Sequence, residues 1–170
     1  MTKNELGALA DLADAEFDGE SYNGASLMAT LGKIDAASAS SDSTFEGYSA
    51  WSVVLHVAWC KWVVARALLG DSADAVVGPY PWPEGKGGFL EPSDSSPAAW
   101  AEILTYLPRV HAITMKALRE ADAAILAREV PEWKIPLGKA AAWLCSHDTY
   151  HTAQIRSMGV PGIGPSHRVY

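Results

Sequence analysis

The segment SAWSVVLHVAWCKWVVARALLG, residues 49 to 70, constrains the fold more than any other part of the chain. It has helical character and is apolar on nearly every side, with Gly70 as the natural stop. A helix of that kind sits at the centre of a body and packs against several neighbours. Lys61 and Arg66 mark what the pattern presents as its least buried face. The chain has 170 residues, 49% of them apolar and seven of them Trp. That is enough to surround such a helix, and residues 1–170 read as a single domain.

The rest of the chain is helical as well. Residues 3 to 16 suit a short first helix, and ASLMATLGKI suits a second run ending near Ile34. DAASASSDSTFEGYS then has the polar, turn-rich make-up of a linker. Residues 71 to 95 carry too much Pro and Gly for a helix or a central strand. A connection this long is either a plain surface crossover or part of a functional site. Residues 78 to 92 are expected to wall the mouth of that site, with Trp82 and Phe89 as the apolar contacts. Ser96-Pro97 is a strong helix start, and the following helix is expected to reach residue 128 with a kink at Pro108. A last helix spans Gly138 to Met158, and the tail after it cannot be helical. No run alternates as a strand does. The fold class is all-α, with an antiparallel four-helix bundle as the simplest closed arrangement.

The formal net charge is −7, and no basic stripe is visible. That argues against nucleic acid as a partner. The first residues carry acids where a leader would be apolar, and no apolar run reads as membrane-spanning. A cytoplasmic protein with no membrane partner is therefore expected. Cys60 and Cys145, both in apolar helical surroundings, are expected to be reduced and buried.

The chemistry concentrates in CSHDTYHTAQIRSMG, residues 145 to 159. His147 and His151 are four apart, so on a helix they share one face. They are either a chelating pair for a divalent ion or two exposed imidazoles. They align with Leu144 and Ile155 on the apolar face, where unpaired imidazoles would be costly and a metal would satisfy both. His56, inside the central helix, is the best third ligand; His111 is a rival, or a neutral base beside the site. Cys60, one turn after His56, is a fourth ligand or a small buried hydrophobe. Asp148 points about 100° away from His147 and is not placed as the base of an HExxH motif. Tyr150 is placed to orient water or substrate, and Gln154 to fix an imidazole tautomer.

HDTYHTAQIRSMG, a histidine inside the 49–69 helix, the long mid-chain loop and SSPAAWAEILTYLPRVHAITMKAL together resemble the DinB/YfiT-like metalloprotein superfamily. The resemblance implies a four-helix bundle in an up-up-down-down arrangement, with the 71–95 segment as a crossover. It implies a divalent metal held by His56, His147 and His151, and a homodimer. It also allows low-molecular-weight-thiol transfer, since the superfamily includes members similar to thiol transferases and to a mycothiol-dependent isomerase.

Three neutral nitrogens leave coordination positions open and suit zinc, nickel, iron or manganese. The expected function is a metal-dependent enzyme acting on a small molecule by hydrolysis or thiol transfer. Tyr150, Gln154 and His111 are its candidate catalytic residues, and a low-molecular-weight thiol is a candidate second cofactor. A metal-binding protein without catalysis and a helical interaction module are the alternatives. The dimer is also expected because seven Trp and so apolar a central helix ask for more cover than one bundle offers.

Overall fold

The computed structural model describes residues 3–83 and 89–164. His167, Arg168 and the centre of the long loop lie outside them. Four long helices dominate: α1 (Lys3–Asp18), α4 (Ala50–Leu69), α6 (Pro97–Glu120) and α8 (Leu137–Ser157). Between α1 and α4 lie two short helices, α2 (Leu27–Leu31) and α3 (Ala36–Ala39), within segments that read mostly as turn and linker. Each starts on a side-chain cap, Ser26 for α2 and Asp35 for α3.

Local chemistry sets the ends of the long helices. The Ser49 hydroxyl accepts from the backbone N–H of Ser52, and Ser96 does the same for Ala99 ahead of Pro97. Gly70 ends α4 at φ 58°, a backbone conformation that strains residues with a side chain. The chain continues through a 3-10 turn at Gly70–Ser72 into the short α5 (Ala73–Val76). α6 runs as one helix across Pro108 but stops at Glu120, short of residue 128. The cause is Asp122, whose carboxylate accepts from the Ile125 N–H and starts a separate helix, α7 (Ala123–Leu126). A two-residue hairpin, β1 (Glu129–Val130) with β2 (Ile135–Pro136), then leads into α8.

The long helices form a ring in which α4 and α1 each pack against α6 and α8. Their directions follow from side-chain pairs. Arg119 bonds Asp11 while His111 bonds Asp14, so α6 runs antiparallel to α1. Trp51 meets Trp100 while Lys61 meets His111, so α4 and α6 are parallel. His56 meets His151 while Lys61 meets Asp148, so α8 runs antiparallel to α4. The order is up-down-down-up, which corrects the up-up-down-down expectation. The long connection has the role expected of it: it is the crossover joining the parallel pair.

Fifteen of the twenty residues of α4 are buried, including Lys61. That corrects the reading of Lys61 as part of an exposed face. The stretch Ala50–Val76 is long and apolar enough to cross a membrane by length and composition, contrary to the expectation. Its apolar character is accounted for by packing, since 67% of its most apolar window is buried inside the bundle. The neighbours of α4 within the chain supply most of this cover.

Candidate metal site

His56 comes from the second turn of α4 and His147 and His151 from successive turns of α8. Antiparallel packing brings them together. Their ring centroids lie 4.3 to 5.1 Å apart. The Nε2 atom of His147 is 3.2 Å from that of His56 and 3.1 Å from that of His151. One nitrogen from each ring falls within 4.8 Å of the others. Ligand nitrogens about 2.0–2.1 Å from a tetrahedral zinc lie about 3.3 Å from each other, so the cluster is shaped to hold such an ion. It can coordinate a metal ion, and three nitrogen ligands leave coordination positions open.

The surroundings keep the nitrogens as lone-pair donors. Burial is the main cause that lowers all three imidazole pKa values. His147, which also faces His151 and His56, is pushed down to about 2, and His151 to about 4. Gln154 fixes His151 from behind. The Gln154 Nε2 group donates to the Glu46 carboxylate and to the Tyr48 hydroxyl, both at 2.7 Å. The amide oxygen is thereby turned to His151 Nδ1, 2.7 Å away, and can only accept. Nδ1 must carry the proton, and Nε2 faces the cluster with a free lone pair. The Tyr48 hydroxyl donates to Glu46 and closes the triangle. Gln154→Leu removes this orientation and is expected to weaken zinc binding by about 10–100-fold, as read by chelator competition.

The crossover reaches the site. Phe89 lies edge-on to His56 at 5.0 Å and to His151 at 6.0 Å, and stacks on Tyr48 at 4.5 Å. Trp82 packs on Tyr80 and Tyr106 and lines a small recess shared with His56 and Trp59. Both ends of the loop are tied to α4. Tyr80 donates to the Leu55 carbonyl at 2.8 Å, and Glu91 accepts from the Ser49 N–H at 2.8 Å. Residues 84–88 of the expected wall lie outside the described residues.

The other candidates divide. Tyr150 is 64% exposed, its ring edge-on to His151 at 4.9 Å. Cys60 Sγ is 3.7 Å from His56 Nε2. Burial raises its thiol to about 12, so without a metal it is a neutral, small wall residue. His111 is not among the three converging histidines. The Lys61 ammonium donates to its Nδ1 at 3.0 Å, and its Nε2–H donates to Asp14 at 2.8 Å. Both ring nitrogens are engaged, the ring stacks on Phe17 at 3.8 Å, and burial with Lys61 pushes its pKa down to about 3.

Lys61 and Asp148 form the residue pair that sequence reasoning missed. They are fully buried, with Nζ 2.7 Å from Oδ2. Asp148 does point away from its histidine neighbour, and that direction carries it to Lys61. Glu46 and Tyr48 were missed as well, because they sit in a polar stretch with no periodicity.

His56 and His147 also form one side of a cleft of about 370 Å³, whose other walls include Trp59, Trp133 and Trp143. A helical bundle with three histidines converging from two helices, beside a cleft, is a bundle able to bind a metal. The chain belongs to the DinB superfamily, whose model matches residues 6–155. No curated protein and no solved structure matches it.

The lowered histidine values have a measurable consequence. In the folded, metal-free chain His147, His151 and His111 titrate below the ordinary value of 6.5. As pH falls through 6.5 the unfolded chain takes up protons first, so stability is lost. Each histidine costs up to about 1.4 kcal/mol per pH unit until its folded value is reached. Asp148, raised by burial, acts in the opposite sense but is one group against several. Urea midpoints of the metal-free protein are expected to fall steadily between pH 6.5 and about 4, where His151 titrates. A flat profile there would contradict the burial of neutral imidazoles.

Proposed function

We propose that the protein is a metal-dependent enzyme acting on a small molecule, by hydrolysis or by low-molecular-weight-thiol transfer. One observation carries the reading: the three converging nitrogens border a cleft large enough for a ligand, with His56 and His147 in its wall. A purely structural metal site is normally closed by four protein ligands, whereas three leave room for a reacting group. A divalent cation held there by His56, His147 and His151 would supply Lewis acidity for activating water or a thiol near neutral pH. Zinc, nickel, iron and manganese all suit three imidazoles. Within this reading His56, His147 and His151 are the ligands, and Gln154 holds His151 in its tautomer. Tyr150, exposed beside His151, orients substrate at the outer rim. His111 serves the buried Lys61 network instead of the reaction.

The test begins with protein purified without a nickel column and analysed for metal. Activated esters, and electrophiles supplied with a thiol, are then assayed on the isolated, stripped and reloaded protein. Turnover that returns in proportion to bound metal supports the reading, and the active panel assigns the reaction. A metal-loaded, folded protein inert in both panels would instead support metal binding without catalysis. The homodimer is part of the proposal through the family resemblance; sedimentation as a monomer at micromolar protein would remove it.

A further inference from the structure

We propose that the tryptophan-walled cleft binds an uncharged aromatic or hydrocarbon body of the substrate and presents its reacting end to the histidines. This names a substrate class for the site and rests on the reading of that site as one for a small molecule.

The inference begins with the walls. Three indoles surround the cleft, and Cys60, Ala140 and Leu144 complete its apolar surface. None of these side chains carries a formal charge at neutral pH. His56 and His147 are the other described residues in its lining. Burying a charged ligand group against the Trp, Ala and Leu walls, away from the histidine end, costs far more than burying an apolar one, because none of these described side chains carries a charge to pair with it. Lys139 is a cation at the edge of the cleft. Its ammonium lies 4.7 Å over the Trp143 ring, and Trp143 is 54% exposed, so that charge belongs to the rim.

Shape narrows the class further. Trp59 and Trp133 meet edge to face, with centroids 6.0 Å apart and planes at 69°. They make a corner of flat surfaces suited to a planar ring. A volume of about 370 Å³ lies at the small end of ligand sites, and suits a body of two or three fused rings or its aliphatic equivalent. The cleft shares His56 and His147 with the metal cluster, so a ligand seated in it has one end beside the converging nitrogens. A carboxylated thiol, if one takes part, must keep its carboxylates outside this cleft and contribute only its sulfur.

The test is calorimetric titration of the full chain, as isolated and with its metal content measured, against three ligands of one size. These are 2-naphthol, 2-naphthalenesulfonate and a naphthylmethyl-trimethylammonium ion. The neutral ligand is expected to bind at least about tenfold more tightly than either charged one. Trp143→Ala, on the exposed rim, and Trp133→Ala are each expected to weaken naphthol about fivefold or more with metal content unchanged. Equal or tighter binding of a charged ligand would overturn the proposal. So would naphthol binding that ignores both Trp replacements, or none at all to folded protein. A folded, metal-loaded protein that binds naphthol but is inert in both activity panels would count against the enzyme reading alone.

Discussion

Replacing Lys61 by Met is expected to destabilise the protein by about 3–5 kcal/mol. The substitution removes the cation paired with a fully buried carboxylate: Asp148 Oδ2 is 2.7 Å from Lys61 Nζ, and Asp148 Oδ1 has no hydrogen-bond partner among the described residues. His111 loses the donor on its Nδ1 at the same time. In a chain of this size the loss corresponds to a melting temperature lower by roughly 6–20 °C. The charge matters less than its pairing. Lys61→Met combined with Asp148→Leu leaves no unpaired ion and is expected to recover most of the stability. A single variant that melts within about 2 °C of the parent would show that the pair is not a structural necessity.

The second large effect concerns the metal. His151→Ala deletes one of three converging ligands, and zinc content is expected to fall from about one ion per chain to a small fraction of that. The fold is expected to survive. All three ligands sit within long helices, and α4 is held by an apolar core that includes Val53, Val54 and Val57, all fully buried. Both the variant and the metal-stripped parent should melt cooperatively within about 10 °C of the metal-loaded protein, or roughly 3 kcal/mol. Unfolding of both at room temperature would mean that binding energy is folding energy here, and that the ion builds the bundle.

What the sequence made legible is what periodicity and spacing encode. The central helix, the Ser96-Pro97 start and the final helix all lie within a residue or so of where their caps and patterns put them. The histidine cluster was legible because two of its members are four apart and the third interrupts an apolar helix. Gln154 could be anticipated from its place one turn beyond His151. Long-range polar pairing was not legible. Lys61 reads as a surface residue until Asp148, 87 positions away, is found beside it. Glu46 and Tyr48 reach Gln154 across more than 100 positions. Helix direction was hidden for a related reason. Spacing shows which residues share a face but not which neighbour the face meets, and only contacts such as Trp51 with Trp100 settle that. Asp122 caps a separate helix that the continuous helical pattern after Ser96 conceals.

His56 and His147 are 91 positions apart and meet only when α4 docks on α8. An unfolded or nascent chain keeps His147 and His151 near each other but not His56, so the three-nitrogen site forms with the fold. Such a protein does not choose its metal while it is being made. It presents a finished nitrogen site to whatever ions the surrounding compartment supplies. Affinity for nitrogen ligands rises from manganese to copper, and imidazoles discriminate little beyond that order. An ion bound there would therefore record the metal supply around the protein as much as the design of the site.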